Sequence, residues 1–245
     1  MQTVFALQRS VTVPVMEGRR ATLRAHLLSD IRAAALDELR RTGAASLSLR
    51  EVARAAGISP SGLYRYVDGR DGLLELLISD GFEAFGKAIA AAVAEAGDDV
   101  IARMEAVAIG YRRWALENSE QFGLILGTPV PGFHARADGP TEASVRRFAE
   151  PMICVVADAY ATSHPAGAGD ETIGGFDLST FDPRANELPE LLLSAVVRSW
   201  SRVHGLVALE AFGHLAWSGT DVEALLRTEV RSMVVEFTRP AGTAT

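Results

Sequence analysis

The stretch Ser48 to Arg70 reads SLREVARAAGISPSGLYRYVDGR, and its punctuation decides how the rest of the chain is read. Ser48 and Glu51 have the spacing of a capping box, in which a hydroxyl and a carboxylate satisfy the first free amides of a helix. That helix runs through Leu49, Val52, Ala53 and Ala56 and stops at Gly57, because a left-handed residue after a helix costs least without a Cβ. Ser59 is placed to cap a second helix, and Pro60 suits its first turn, where a missing N–H is no loss. Leu63 and Val67, four apart, turn inward, while Ser61, Tyr64 and Arg65 project elsewhere. The pattern predicts a helix-turn-helix whose second helix offers its side chains to a major groove. A buried hairpin in a bundle is the alternative, but Tyr64 and Tyr66, two apart on so short a helix, cannot both enter one core. The small residues Ser59, Pro60, Ser61 and Gly62 leave that helix's N-terminal amides open to a phosphate.

With those residues in view, the segment from about Thr22 to Leu77 resembles the DNA-binding domain of TetR-family transcriptional regulators. The shared pattern is a helix ending at Gly43, then SLREVARAAGISPSGLYRYV, then a leucine-rich helix opening GRDGLLELLI. The resemblance implies base readout by Tyr64 and Ser61, with Ser59 and Arg65 as further candidates, and phosphate contacts by Ser48, Arg50, Tyr66 and Arg70. Tyr66 stands where members more commonly hold His, Arg70 where many hold Lys, and Gly62 where many place Thr. The competing readings stay open: Ser48 as a cap only, and Arg50 as the partner of a neighbouring acid only.

Charge is distributed in a way that suits this reading. The 245 residues carry a formal net charge of −7, which by itself argues against nucleic acid. Between Arg19 and Arg70, however, ten Arg face five acids, a net of +5, whereas from Asp71 onward thirteen basic and twenty-five acidic residues leave −12. A basic head on an acidic body fits a DNA reader with a separate second domain. Cys154 is the single cysteine, so no intramolecular disulfide is possible, and no Cys/His spacing resembles a zinc site. No signal peptide and no apolar run of membrane-spanning length is read. A cytoplasmic protein without a cofactor and without a membrane partner is expected.

Taken in order, residues 1–18 show no periodicity and are expected to form a mobile arm. Arg19, Arg20 and Arg24 open a first helix with a stripe at Leu28, Ile31, Ala35 and Leu39; these arginines lie near phosphate or form an ordinary solvated charge run. A fourth helix follows through Leu74, Ile78, Phe82, Phe85 and Ile89 to about Glu95. Gly97-Asp98-Asp99 breaks the chain before a helix with Ile101, Met104, Ala108, Tyr111 and Ala115 on one face and Trp114 beside it. A short helix through Phe122 ends at Gly127. Pro129 to Pro140 is a loop, and Thr141 starts a helix to about Ala161 with Val145, Phe148, Met152, Val155 and Val156 apolar. Residues 162–183 are Gly-rich and aperiodic, read as disordered or as a functional lid. From Pro189, a helix carries Val196, Trp200, His204, Val207 and Ala211 on one face and Gly205, Leu209 and Phe212 on another, which calls for two packing partners. Thr220 and Asp221 start the last helix, with Val222, Leu226, Val230, Met233 and Phe237 aligned.

Trp200, His204-Gly205 and RRWALENSEQFGLILGTPVPGF resemble the TetR subfamily named for a Trp-His-Gly motif in its C-terminal domain. The resemblance implies an interior that binds a small apolar or aromatic effector and a homodimer through the last two long helices. Candidate ligand-binding residues are Met104, Tyr111, Trp114, Phe122, Phe148, Met152, Trp200 and His204; the ordinary reading of each is core. His204 adds a polar handle beside the Trp200 ring.

The expected fold is all-α: a disordered arm over 1–18, a three-helix helix-turn-helix domain over 19–70, and a helical effector-binding and dimerisation bundle over 71–240. The expected function is a sequence-specific DNA-binding regulator, a repressor released from a palindromic operator by its effector. The alternative is a regulator controlled by a protein partner, or an activator, with no small-molecule effector. Catalysis has little raw material: His204 with Glu210, or His164 with Asp170, sits in no nucleophile or metal motif.

Overall fold

The computed structural model describes residues 14–136, 139–163 and 190–238. Among them every regular element is helical. The chain order is α1 (Pro14–Thr42), a 3-10 turn (Ala44–Ser46), α2 (Leu49–Ala55), α3 (Pro60–Leu63), α4 (Gly69–Glu95), α5 (Val100–Glu117), α6 (Ser119–Leu126), α7 (Pro140–Ser163), α8 (Glu190–Ala211) and α9 (Val222–Thr238).

Helix α1 begins five residues ahead of Arg19, inside the segment expected to be an arm. Pro14 accounts for that start, since its fixed φ is pre-set for a first helical turn. Residues 1–13 lie outside the described part, as do 164–189, which hold nearly all of the expected loop. Helix α7 itself runs through Ser163, two residues into that loop.

The head is built around Ile31, Ala35 and Leu39 of α1, Leu47, Val52 and Ala53, Leu63 and Val67, and Leu73, Leu74 and Leu77 of α4, all buried. Gly43 and Gly57 close α1 and α2 with φ of 74° and 69°, as their sequence positions require. Ser48 Oγ accepts the Glu51 amide at 3.4 Å. The capping box is only half made, because the Glu51 carboxylate turns to Arg54 at 2.8 Å.

The second core starts one residue after Leu77. Ile78, Phe82, Phe85 and Ile89 of α4 are buried with Met104, Tyr111 and Trp114 of α5, Phe122 of α6, Phe148 and Val155 of α7, Val203 and Val207 of α8, and Val222, Leu226, Val230 and Met233 of α9. The seam between the two cores therefore falls within α4, not before it. The stripe on α5 differs from expectation at its first turn, where Ile101 is exposed and Val100 packs on the core instead. Helix α8 is rotated by about one residue from the expected face: Leu192, Ala195, Ser199, Val203 and Val207 are buried, while Trp200, Leu209 and Phe212 are exposed. A serine on the buried line hid that stripe from a hydrophobic count.

Helix α7 crosses α4 at Gly86. A Cβ there would stand 2.9 Å from the Arg147 carbonyl oxygen and 2.9 Å from Phe148 Cα, so only glycine lets the two backbones come this close. Gly86→Ala is expected to lower the urea-unfolding free energy by about 1–3 kcal/mol, because backbone rather than a flexible side chain must give way. An unchanged midpoint in matched urea titrations would show that the crossing is looser than described.

Candidate nucleic-acid interface and apolar cavity

Helix α3 is one α-helical turn, continued by turn residues Tyr64 to Tyr66 whose amides bond to Gly62, Leu63 and their neighbours. Leu63 and Val67 anchor it, at 1% and 6% exposure, and Tyr64 stands out at 60%. Ser59, Ser61 and Arg65 are exposed beside it. The N-terminal amides are less open than the sequence suggested. Ser59 Oγ accepts the Gly62 N–H at 3.1 Å and also lies 3.1 Å from Ser61 Oγ. Gly62 makes room for this cap, since a Cβ there would come within 3.2 Å of that oxygen.

The phosphate candidates divide. Arg50 is exposed at the start of α2. Tyr66 is half-buried, and the Arg24 guanidinium of α1 sits 5.8 Å above its ring, a cation–π contact that fixes α1 against the turn. Arg70 donates to the carbonyls of Ala44 at 2.8 Å and Ala45 at 3.3 Å. It braces the first turn of α4 against the 3-10 turn, a role the sequence did not disclose.

The second feature is a cavity of about 440 Å³ walled by α4, α5, α7, α8 and α9, with Leu126 at the end of α6. That volume is in the range of small-molecule sites, ~300–1,000 Å³. Met104, Tyr111, Phe148, Met152 and Trp200 line it, five of the eight residues expected to meet a ligand. Trp114 and Phe122 do not line it. Trp114 stacks on Phe85 with ring centroids 4.1 Å apart, and Phe122 is fully buried against Phe85 and Tyr111, so both belong to the core beneath the cavity.

His204 is also off the wall. Its Nδ1 is 2.9 Å from the Tyr111 hydroxyl, and its ring stacks on Trp200 at 5.2 Å. Burial lowers the His204 pKa, and burial raises that of the Tyr111 phenol, with the neighbouring Trp200 indole opposing the shift. A neutral ring protonated on Nε2 leaves Nδ1 free to accept the Tyr111 O–H. The acid–base pairing of His204 with Glu210 is not formed, because Glu210 takes a two-pronged ion pair with Arg112 at 2.7 and 2.8 Å. His164 and Asp170 lie outside the described residues. Among the described residues no cluster of His, Cys, Asp and Glu is arranged to hold a metal, and no helix is long and apolar enough to cross a membrane. The residue that the sequence reading missed is Ser199. It lies on the cavity wall, and neither its size nor its polarity marks it as special in the sequence.

Comparison with known proteins matches both halves. Residues 31–77 match the family model described as bacterial regulatory proteins, tetR family, and residues 104–233 match the tetracyclin repressor-like C-terminal domain. The HTH-type transcriptional regulator Rv1816 of Mycobacterium tuberculosis is 31% identical over 212 residues, covering 80% of this chain and 85% of that protein. A crystal structure of the regulatory protein SCO4313 aligns with a TM-score of 0.67 and 28% identity over 87% of this chain and 97% of its own. A protein of unknown function from Rhodococcus sp. RHA1 shares the fold at a TM-score of 0.66 and 24% identity, covering 87% and 96% of the two chains.

The buried histidine sets a pH dependence. Its folded-state pKa lies below the ordinary value of 6.5, so the unfolded chain binds more protons as pH falls through that value, and stability drops on the acid side. Urea unfolding between pH 7.5 and 5.5 is expected to show a steeper loss for the native protein than for His204→Gln. Parallel pH profiles would mean that the ring is not held neutral by its surroundings.

Proposed function

The chain belongs to the TetR family and is a DNA-binding transcriptional regulator; from that premise we propose that it is a repressor, released from a palindromic operator by a small apolar or aromatic effector held in the cavity. The observation that carries the proposal is that α4 is common to both sites. Its first turns, with Leu73, Leu74 and Leu77, seat the helix-turn-helix, and one turn further on Phe82 lines the cavity. A ligand that prefers one position of α4 shifts the head by as much as its two affinities differ.

In the proposed complex two copies of the chain present two Tyr64-bearing turns to successive major grooves, ~34–36 Å apart. Ser61 and Tyr64, with Ser59 and Arg65 beside them, read base edges, while Ser48, Arg50 and Tyr66 face phosphate; Arg70 acts there through its brace on the 3-10 turn. The dimer forms through α8 and α9. Supporting this, Trp200, Leu209, Phe212, Trp217 and Val235 are exposed on these helices and the turn between them, a set of large apolar groups that monomeric surfaces rarely concentrate.

The test is selection of DNA from a random pool by the purified full-length chain at one stated salt concentration. An enriched two-fold symmetric site is expected, and Tyr64→Ala should weaken binding to it at least about tenfold, ~1.4 kcal/mol, while leaving dimer mass and unfolding midpoint unchanged. Tyr64→Ala binding as well as the native chain would remove α3 from the interface. An enriched site that no apolar compound releases would favour control by a protein partner.

A further inference from the structure

Resting on the reading of the cavity as an effector site, we propose that it selects an uncharged, largely hydrocarbon molecule carrying one hydrogen-bonding oxygen, an alcohol, ester, ketone or lactone, and that this oxygen pairs with Ser199.

The chemistry of the wall sets the first half. None of the described residues that line the cavity is charged, and only Tyr111, Ser199 and Trp200 carry a side-chain polar atom. A carboxylate or ammonium buried there would lose its water and meet no counter-charge, which is the costliest way to bury a group. The Tyr111 hydroxyl is already engaged with His204 Nδ1. An effector with several polar groups would leave most of them unpaired. A hydrocarbon body with one polar end would not.

Ser199 supplies the second half. It is 7% exposed, and its hydroxyl has no hydrogen-bond partner. Serine inside a helix ordinarily folds back onto the carbonyl four residues earlier. Ser201, two residues further along the same helix, does so onto Val197 at 2.7 Å. Ser144 and Thr228 do the same on α7 and α9. Ser199 is turned away from that default, on the cavity side of α8, and an unmade hydrogen bond at a buried hydroxyl is a standing cost. Thr141 is the other buried hydroxyl without a partner among the described residues, and it does not line the cavity. An accepting or donating oxygen brought by a ligand completes Ser199, because a hydroxyl rotates to serve either role.

The experiment uses the full-length native chain and four ten-carbon probes: 1-decanol, methyl nonanoate, decanoate and decyltrimethylammonium. Binding is followed at pH 7.5 by tryptophan fluorescence, to which Trp200 on the wall contributes, and by release of the selected DNA. Saturable binding of 1-decanol and methyl nonanoate is expected, at least tenfold tighter than that of the two ions. Ser199→Ala should weaken 1-decanol by three- to tenfold with an unchanged circular dichroism spectrum, and Ser199→Thr, which keeps the hydroxyl, should restore most of it. If decanoate or the cation binds as tightly as the alcohol, the uncharged class is wrong while the cavity remains an effector site. If Ser199→Ala leaves 1-decanol affinity unchanged, the polar anchor is wrong. If no probe binds or releases DNA, both this proposal and the effector reading of the cavity fall.

Discussion

A single uninterrupted helix carries the anchoring side chains of two cores. Over its 27 residues, about 40 Å at 1.5 Å per residue, α4 gives Leu73, Leu74 and Leu77 to the head and Ile78, Phe82, Phe85 and Ile89 to the body. No glycine pair or proline breaks it between the two sets. The head therefore has no independent orientation: it points where α4 points. Three polar braces enforce this at the seam. Arg32 of α1 pairs with Asp80 at 2.7 Å, Arg70 ties the first turn of α4 to the 3-10 turn, and Arg136 of the α6–α7 loop clamps the buried Glu75 carboxylate from two nitrogens and its own amide. The Arg136 guanidinium holds that carboxyl below the usual carboxylate range, so the clamp stays charged at neutral pH.

The helix that presses hardest on this rod also forms one side of the cavity. Phe148, Met152 and Val156 of α7 face the cavity, and the turn containing Arg147 and Phe148 lies against Gly86. Pro151 sits within α7 and has no N–H to offer the Arg147 carbonyl four residues earlier. The backbone oxygen that approaches Gly86 is thus the one that α7's own ladder cannot use. A ligand that repositions Phe148 and Met152 must act at this crossing, and close-packed interfaces answer such loads by discrete shifts rather than by smooth deformation. The α6–α7 loop gives a second link, since Leu126 lines the cavity and Arg136 ends on Glu75.

Much of this was legible in the residues. The turns at Gly43 and Gly57, the anchors Leu63 and Val67, the exposed Tyr64, and the apolar lines of α4 and α9 follow from spacing alone, because one periodic face and one left-handed position leave few alternatives. The cavity was legible only in outline. Met104, Tyr111, Phe148, Met152 and Trp200 were chosen for size and face, and size cannot separate a wall residue from one packed behind it. Trp114 and Phe122 show the failure: both are large and buried, but the Phe85 ring occupies the side a ligand would take. His204 was singled out for its polarity, which Tyr111, 93 positions away in sequence, consumes. Ser199 was passed over for the complementary reason, since an ordinary helix serine satisfies itself locally and only the packed structure reveals that this one does not.

The charge asymmetry takes on a sharper meaning once partners are assigned. In the body, acids are matched by local cations: Glu105 holds Arg227 and Arg231, Glu210 holds Arg112, and Asp158 holds Arg103. In the head, Arg32, Arg40, Arg41 and Arg54 are likewise paired with carboxylates, and Arg70 is spent on backbone carbonyls. Arg50 and Arg65 are exposed and form no ion pair among the described residues, and they flank the element that carries Tyr64. The excess positive potential of the head is thereby concentrated at one end of α2 and α3 rather than spread over it, while the acidic body is repelled by phosphate. Opposite signs at opposite ends orient the molecule before contact, so that encounter with a duplex favours the recognition turn over any other face.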